Sequence, residues 1–213
     1  MVGRISDVFR YSNNDYDVAV ISKEELFDPS TFEIDSLWAS SDCPKGYQSF
    51  FGLENNQLIL DDLHIALPVY EEESPPNKSS EEKVEFKRGL NINGVSPYFP
   101  ETEFCRFNNI YEDLNYKLEY SGGLIICTAF IEGHIGLGLE NTWKYKKVIE
   151  LIFENGTIKK EIDQTKKMEK LRAKYVDPSK MDGIPEDFEN RSEICLESFE
   201  LSYKKSKKGG FFT

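Results

Sequence analysis

Histidine is scarce in this chain: His64 and His134 are the only two among 213 residues. Each stands two places after a carboxylate, in Asp62-Leu63-His64 and Glu132-Gly133-His134. On an extended strand that spacing returns both side chains to one face. A carboxylate and an imidazole so placed can exchange a proton, the step at the heart of general acid–base catalysis. Glu132 and His134 are the pair an enzyme would use here, because their glycine-rich connection is expected at the rim of a sheet. No nucleophile or oxyanion donor is identifiable beside them, so no catalytic residue is assigned beyond that conditional pair. Asp62 and His64 are expected to form a structural hydrogen bond. Neither histidine belongs to a HExxH or other metal-ligand spacing. Asp177, Asp182 and Gly183 do not match a calcium loop. No metal and no cofactor is expected. Gly133, Gly136 and Gly138 read G-x-x-G-x-G, which is neither a dinucleotide fingerprint nor a P-loop, and they predict a bend between strands.

Carboxylates offer a second kind of chemistry, recognition by charge. The net charge is −12. Residues 1–120 hold 23 Asp and Glu against 10 Lys and Arg, whereas residues 121–213 hold 15 against 16. The acidity is therefore concentrated in the first part, where Asp61 and Asp62 are followed by Glu71, Glu72 and Glu73 and then by Glu81 and Glu82. Such an excess repels nucleic acid and attracts a basic protein partner. Asp61, Asp62, Glu71, Glu72 and Glu73 are the expected partner-binding residues. The lysines at 166, 167, 170 and 174, with Arg172, read as a solvated helix face. No run approaches the ~18 apolar residues of a membrane span. The first residues lack an apolar signal core, so a cytoplasmic location and no membrane partner are expected. Cys43, Cys105, Cys127 and Cys195 are scattered and predict free thiols.

The elements that would position these groups are mostly strands. Residues 120–162 organise the chain: an apolar run over 124–131, the glycine-rich connection, and then an alternating stretch. In that stretch Trp143, Tyr145, Ile149, Leu151 and Phe153 are expected inside. Lys144, Lys146, Glu150 and Glu154 are expected on a wet face. Asn155-Gly156 is a tight hairpin signal leading into 157–162. An earlier hairpin is predicted over 47–53 and 57–67, with Tyr47, Ser49, Phe51 and Leu53 on one face. On the return strand Ile59, Leu63, Ile65 and Leu67 share a face, with Asp61 interrupting. The tips of the two hairpins are alike, Leu53-Glu-Asn-Asn-Gln-Leu58 and Phe153-Glu-Asn-Gly-Thr-Ile158. A short strand is expected at 17–21, a capping box at Ser22 and Glu25, and a strand over 84–92. A hairpin over 115–120 and 124–131 is expected to turn at Ser121-Gly122-Gly123. Asp163 is expected to cap a helix over 165–175, followed by a loop at 177–190 and a closing strand over 194–203. The segment 68–82 predicts a mobile acidic loop and 204–213 a polar tail, within a single domain spanning 1–213. The fold class expected is α+β, mainly antiparallel β: a curled sheet or partly open barrel with one or two peripheral helices.

One set of residues carries a resemblance. Trp38, Gly46-Tyr47, Asn55-Asn56 and the run Leu58 to Asp61, followed by Tyr120-Ser-Gly-Gly, Phe130-Ile131 and Gly133-His134, resemble bacterial polymorphic-toxin immunity-type proteins over residues 38–162. The resemblance implies a bacterial protein that neutralises a cognate toxin by binding it, and it transfers no functional residues. The function expected is thus a cytosolic binding protein, an immunity protein acting by steric occlusion of a toxin domain. The alternative is a ligand-binding β-barrel or small hydrolase with a rim site near Glu132 and His134.

Overall fold

The computed structural model describes residues 5–22, 25–37, 39–68, 89–100, 106–131 and 142–175. Among these residues nine strands form one sheet: β1 (Val8–Tyr11), β2 (Asn14–Ile21), β3 (Tyr47–Glu54), β4 (Gln57–Ile65), β5 (Asn109–Tyr111), β6 (Tyr116–Lys117), β7 (Gly122–Phe130), β8 (Tyr145–Glu154) and β9 (Thr157–Asp163). Among the described residues one α-helix follows, α1 (Thr165–Tyr175). The order is β3-β1-β2-β7-β8-β9-β4-β5, and β3 also pairs with β4. All pairings are antiparallel except β1 with β3. The sheet therefore curls into a partial ring, a mainly antiparallel architecture in agreement with the curled sheet expected.

Three hairpins build it, each on a two-residue turn with both residues at positive φ: Ser12 and Asn13 (49° and 62°), Asn55 and Asn56 (51° and 67°), Asn155 and Gly156 (47° and 72°). That geometry follows the right-handed twist of the flanking strands, and asparagine and glycine tolerate it best. The first hairpin, β1–β2, extends well beyond the single strand expected at 17–21, because a four-residue strand around Arg10 shows too little periodicity to be read. The second and third tips, alike in sequence, meet. Leu58 N donates to Gly156 O at 2.7 Å and Ile158 N donates to Asn56 O at 3.0 Å. This reciprocal pair joins β4 to β9 only at the tips, with Gln57 opposite Thr157.

The inner face of the ring is filled by Phe9, Phe51, Leu58, Leu60, Leu63, Ile65, Leu124, Ile126, Ile149, Leu151 and Phe153. Each fully buried side chain of this kind contributes about 1.5–3 kcal/mol before the entropy of ordering is counted. β7 and β8 lie in the interior of the sheet, between β2 and β9. A second cluster lies on the other face of the sheet: Val20, Ile125, Cys127, Tyr145, Val148 and Met168 of α1. β7 is thereby buried on both faces, which is why its sequence is a continuous apolar run rather than an alternation. The same covering overturns one expectation: Glu150 and Lys144 are buried, not on a wet face. Gln164 Nε2 donates to Glu150 Oε2 at 2.5 Å. α1 begins where expected, with Thr165 N donating to Asp163 Oδ1 at 2.9 Å. Hydrogen bonds from the Thr165 side chain and then from its backbone hold the Asp163 carboxyl below its usual pKa.

Three local readings are corrected. Gly122 and Gly123 are not a turn but the start of β7, opposite Phe153 and Ile152. The preceding chain crosses to β4 instead, where Tyr116 and Lys117 pair with Leu60 and Ile59. A Cβ on Gly122 would lie 2.5 Å from the Tyr120 hydroxyl, so the glycine marks a close approach. Ser22 does not start a capping box: its Oγ accepts from Gly123 N at 2.7 Å, fastening the end of β2 to β7. Ile92 faces Val95 in an isolated bridge rather than ending a strand over 84–92. Within that range, residues 84–88 lie outside the described residues, as do the acidic stretch from 69 to 82, the loop at 177–190, the strand expected over 194–203 and the tail at 204–213.

Candidate functional site

The outer face of β1, β3 and β4 gathers the chemistry-bearing residues that the structure describes. Its centre is an irregularity. Phe50 pairs with Asp62 and Phe51 with Leu60, leaving Asp61 as the extra residue of a β-bulge. A bulge adds one residue to one strand and so reverses which parity faces inward. Leu58 and Leu60 point into the core before it, and Leu63, Ile65 and Leu67 after it. Ile59, expected on the inner face with Leu63, is absent from that inner cluster.

The bulge also turns two consecutive carboxylates toward one cation. Arg10 Nη1 donates to Asp61 Oδ2 at 2.7 Å, and Arg10 Nη2 lies 2.6 Å from Asp62 Oδ2. The other oxygen of Asp62 accepts from Asp113 N at 3.0 Å. Desolvation pulls the Arg10 pKa down, but hydrogen bonds with and the charges of Asp61 and Asp62 outweigh it, so Arg10 stays above its ordinary value. The guanidinium carbon also sits 5.1 Å from the centre of the Phe50 ring, within cation–π range. The two carboxylates expected to bind a partner therefore differ. Asp61 is half-buried, whereas Asp62 is buried beneath Arg10 and the Asp113 backbone.

His64 is on the same outer face. Its ring centre is 4.6 Å from that of Phe50 and 6.0 Å from that of Phe107. Among the described residues it makes these ring contacts rather than the hydrogen bond to Asp62 that the spacing suggested. Burial pushes its pKa below the ordinary value; Asp62 and Glu112 pull it up, and Arg10 adds to the lowering. Glu112 itself accepts from the exposed Tyr98 hydroxyl at 2.9 Å.

A further polar group lies along the chain nearby. Lys45 Nζ contacts both oxygens of Asp7 at 2.6 and 2.7 Å, and Asp7 Oδ1 also accepts from Ser49 N at 2.8 Å. Arg106 Nη1 donates to Asp42 Oδ2 at 2.6 Å, and Ser40 donates to the other oxygen of Asp42. Ser40 and then Arg106 lower the Asp42 pKa. Cys43 and Cys127 are both buried, and Cys43 Sγ donates to Tyr47 O at 3.3 Å.

The remaining sequence candidates are not brought to this face. Glu71, Glu72, Glu73, Glu132 and His134 lie outside the described residues, as does Cys105. Among the described residues no group of three or more His, Cys, Asp and Glu is arranged to hold a metal ion. No described helix is long and apolar enough to cross a membrane. The sequence reading missed Arg10 as the partner of the Asp61–Asp62 doublet. The available signal was the doublet itself, since two adjacent charges on one strand would point to opposite faces unless a bulge intervened. Comparison of the chain with known protein families, with curated proteins and with solved structures finds no match.

Proposed function

We propose that this chain is a protein-binding module of the immunity type, docking a basic toxin domain in the bacterial cytoplasm and blocking it by steric occlusion. The observation that carries the reading is the charge of the first half of the sheet. The described residues between 5 and 68 contain 11 Asp and Glu against 2 Lys and Arg. Both of those cations are already held, Arg10 by Asp61 and Asp62 and Lys45 by Asp7. A cationic partner therefore meets a surface with no free positive charge of its own among these residues. Such complementarity speeds encounter more than it tightens the final complex. A tight inhibitory complex buries roughly 1,600 Å² in total, an area a chain of 213 residues can supply. Glu71, Glu72 and Glu73 extend the acidic sequence beyond β4 and belong to the proposed surface.

The test begins with the protein encoded in the adjacent reading frame, co-expressed and co-purified with this chain. Association is then followed at low and high salt for the natural chain and for a variant with Glu71, Glu72 and Glu73 all changed to Lys. The expected result is a slower on-rate with a weaker salt dependence and an unchanged urea midpoint. An unchanged on-rate at low salt removes these residues from the interface. Failure of any basic protein to bind overturns the reading.

A second reading rests on a different observation. Thr142, Lys144, Glu150 and Gln164 are all buried, with Gln164 Nε2 donating to Glu150 Oε2, and Ile131 N donates to Lys144 O at 2.8 Å, so the residues on either side of 132–141 are joined through the backbone. The alternative reading is a ligand-binding or hydrolytic rim site using Glu132 and His134, which lie outside the described residues. Loss of small-molecule binding or hydrolysis on His134→Ala, with protein binding intact, would favour it over docking.

A further inference from the structure

We draw no further inference here: the strongest candidate, the outer edge of β9 from Lys159 to Asp163, which pairs with no other described strand, carries nothing because nothing in the structure shows what covers it.

Discussion

Replacing Gly156 with alanine tests whether the meeting of the two hairpin tips closes the sheet. Gly156 has φ +72°, and a Cβ there would stand 2.0 Å from both Gln57 Nε2 and the carbonyl oxygen of Leu118. Adopting that φ costs an alanine about 1 kcal/mol. The clash adds more, because the Leu118 oxygen is backbone and the Gln57 amide is committed, donating to that oxygen at 3.0 Å. Moving them also disturbs Leu58 N to Gly156 O at 2.7 Å and Gly156 N to Tyr120 O at 2.8 Å. Each such hydrogen bond is worth about 1 kcal/mol net, so losing one to three of them brings the total to about 2–4 kcal/mol. Gly94 is the control: its φ is +81°, and nothing lies within 4 Å of an added Cβ. Gly94→Ala should therefore cost about 1 kcal/mol, the backbone share alone. Urea unfolding of the two variants, followed by far-UV circular dichroism, measures the difference. Equal losses would refute the reasoning, because they would mean that the tip contacts add nothing to backbone strain.

Asp62→Ala should destabilise by about 2 kcal/mol and Asp61→Ala by less than about 1, since Asp62 is the more buried and also holds the Asp113 backbone; urea midpoints in the reverse order would show that the bulge residue dominates. His64 has a folded pKa below its unfolded value of about 6.5, so the unfolded chain takes up the proton first. Its contribution is full above pH 6.5 and is lost as pH falls through the folded pKa. His64→Leu should flatten the fall in stability just below pH 6.5, measured as urea midpoints across that range; an unchanged slope counts against the buried, neutral ring. Met168→Ala should cost about 2–5 kcal/mol by opening a cavity under α1 and should raise the labelling rate of Cys127, which shares that cluster; mass mapping of alkylated Cys127 reads the effect.

How much of this was legible depends on whether local pattern or distant packing decides a residue's place. Asn155-Gly156 and Asn55-Asn56 declare their turns, because few other residues accept two successive positive φ values. The core face of β3 was legible through Tyr47 and Phe51, which both join the inner cluster. The start of α1 was legible because its cap is local, Asp163 to Thr165. Glu150 was not, because its burial depends on chain that arrives later, Gln164 and the helix that starts just after it. β6 was not, because Ser121-Gly122-Gly123 satisfies the grammar of a turn while its neighbours pair elsewhere. Arg10 is the extreme case, since 51 residues separate it from Asp61.

That last contact bears on how a partner would be attracted. Two carboxylates, each within 2.7 Å of one guanidinium, act with it at long range as a single negative charge, so the Asp61–Asp62 doublet steers more weakly than its sequence suggests. The stronger field comes from residues that were not singled out. Glu25, Asp28, Glu33 and Asp35 are all exposed, and between Tyr11 and Pro44 no Lys or Arg occurs among the described residues. Hydrogen bonds from Ser30 hold the Asp28 carboxyl below its usual pKa. If charge attracts the partner, reversing Asp28, Glu33 and Asp35 to Lys should slow association at low salt more than Asp61→Asn does, because no cation among the described residues pairs with these exposed charges, unlike Asp61. Equal effects would place the doublet, with Arg10 displaced, at the contact itself.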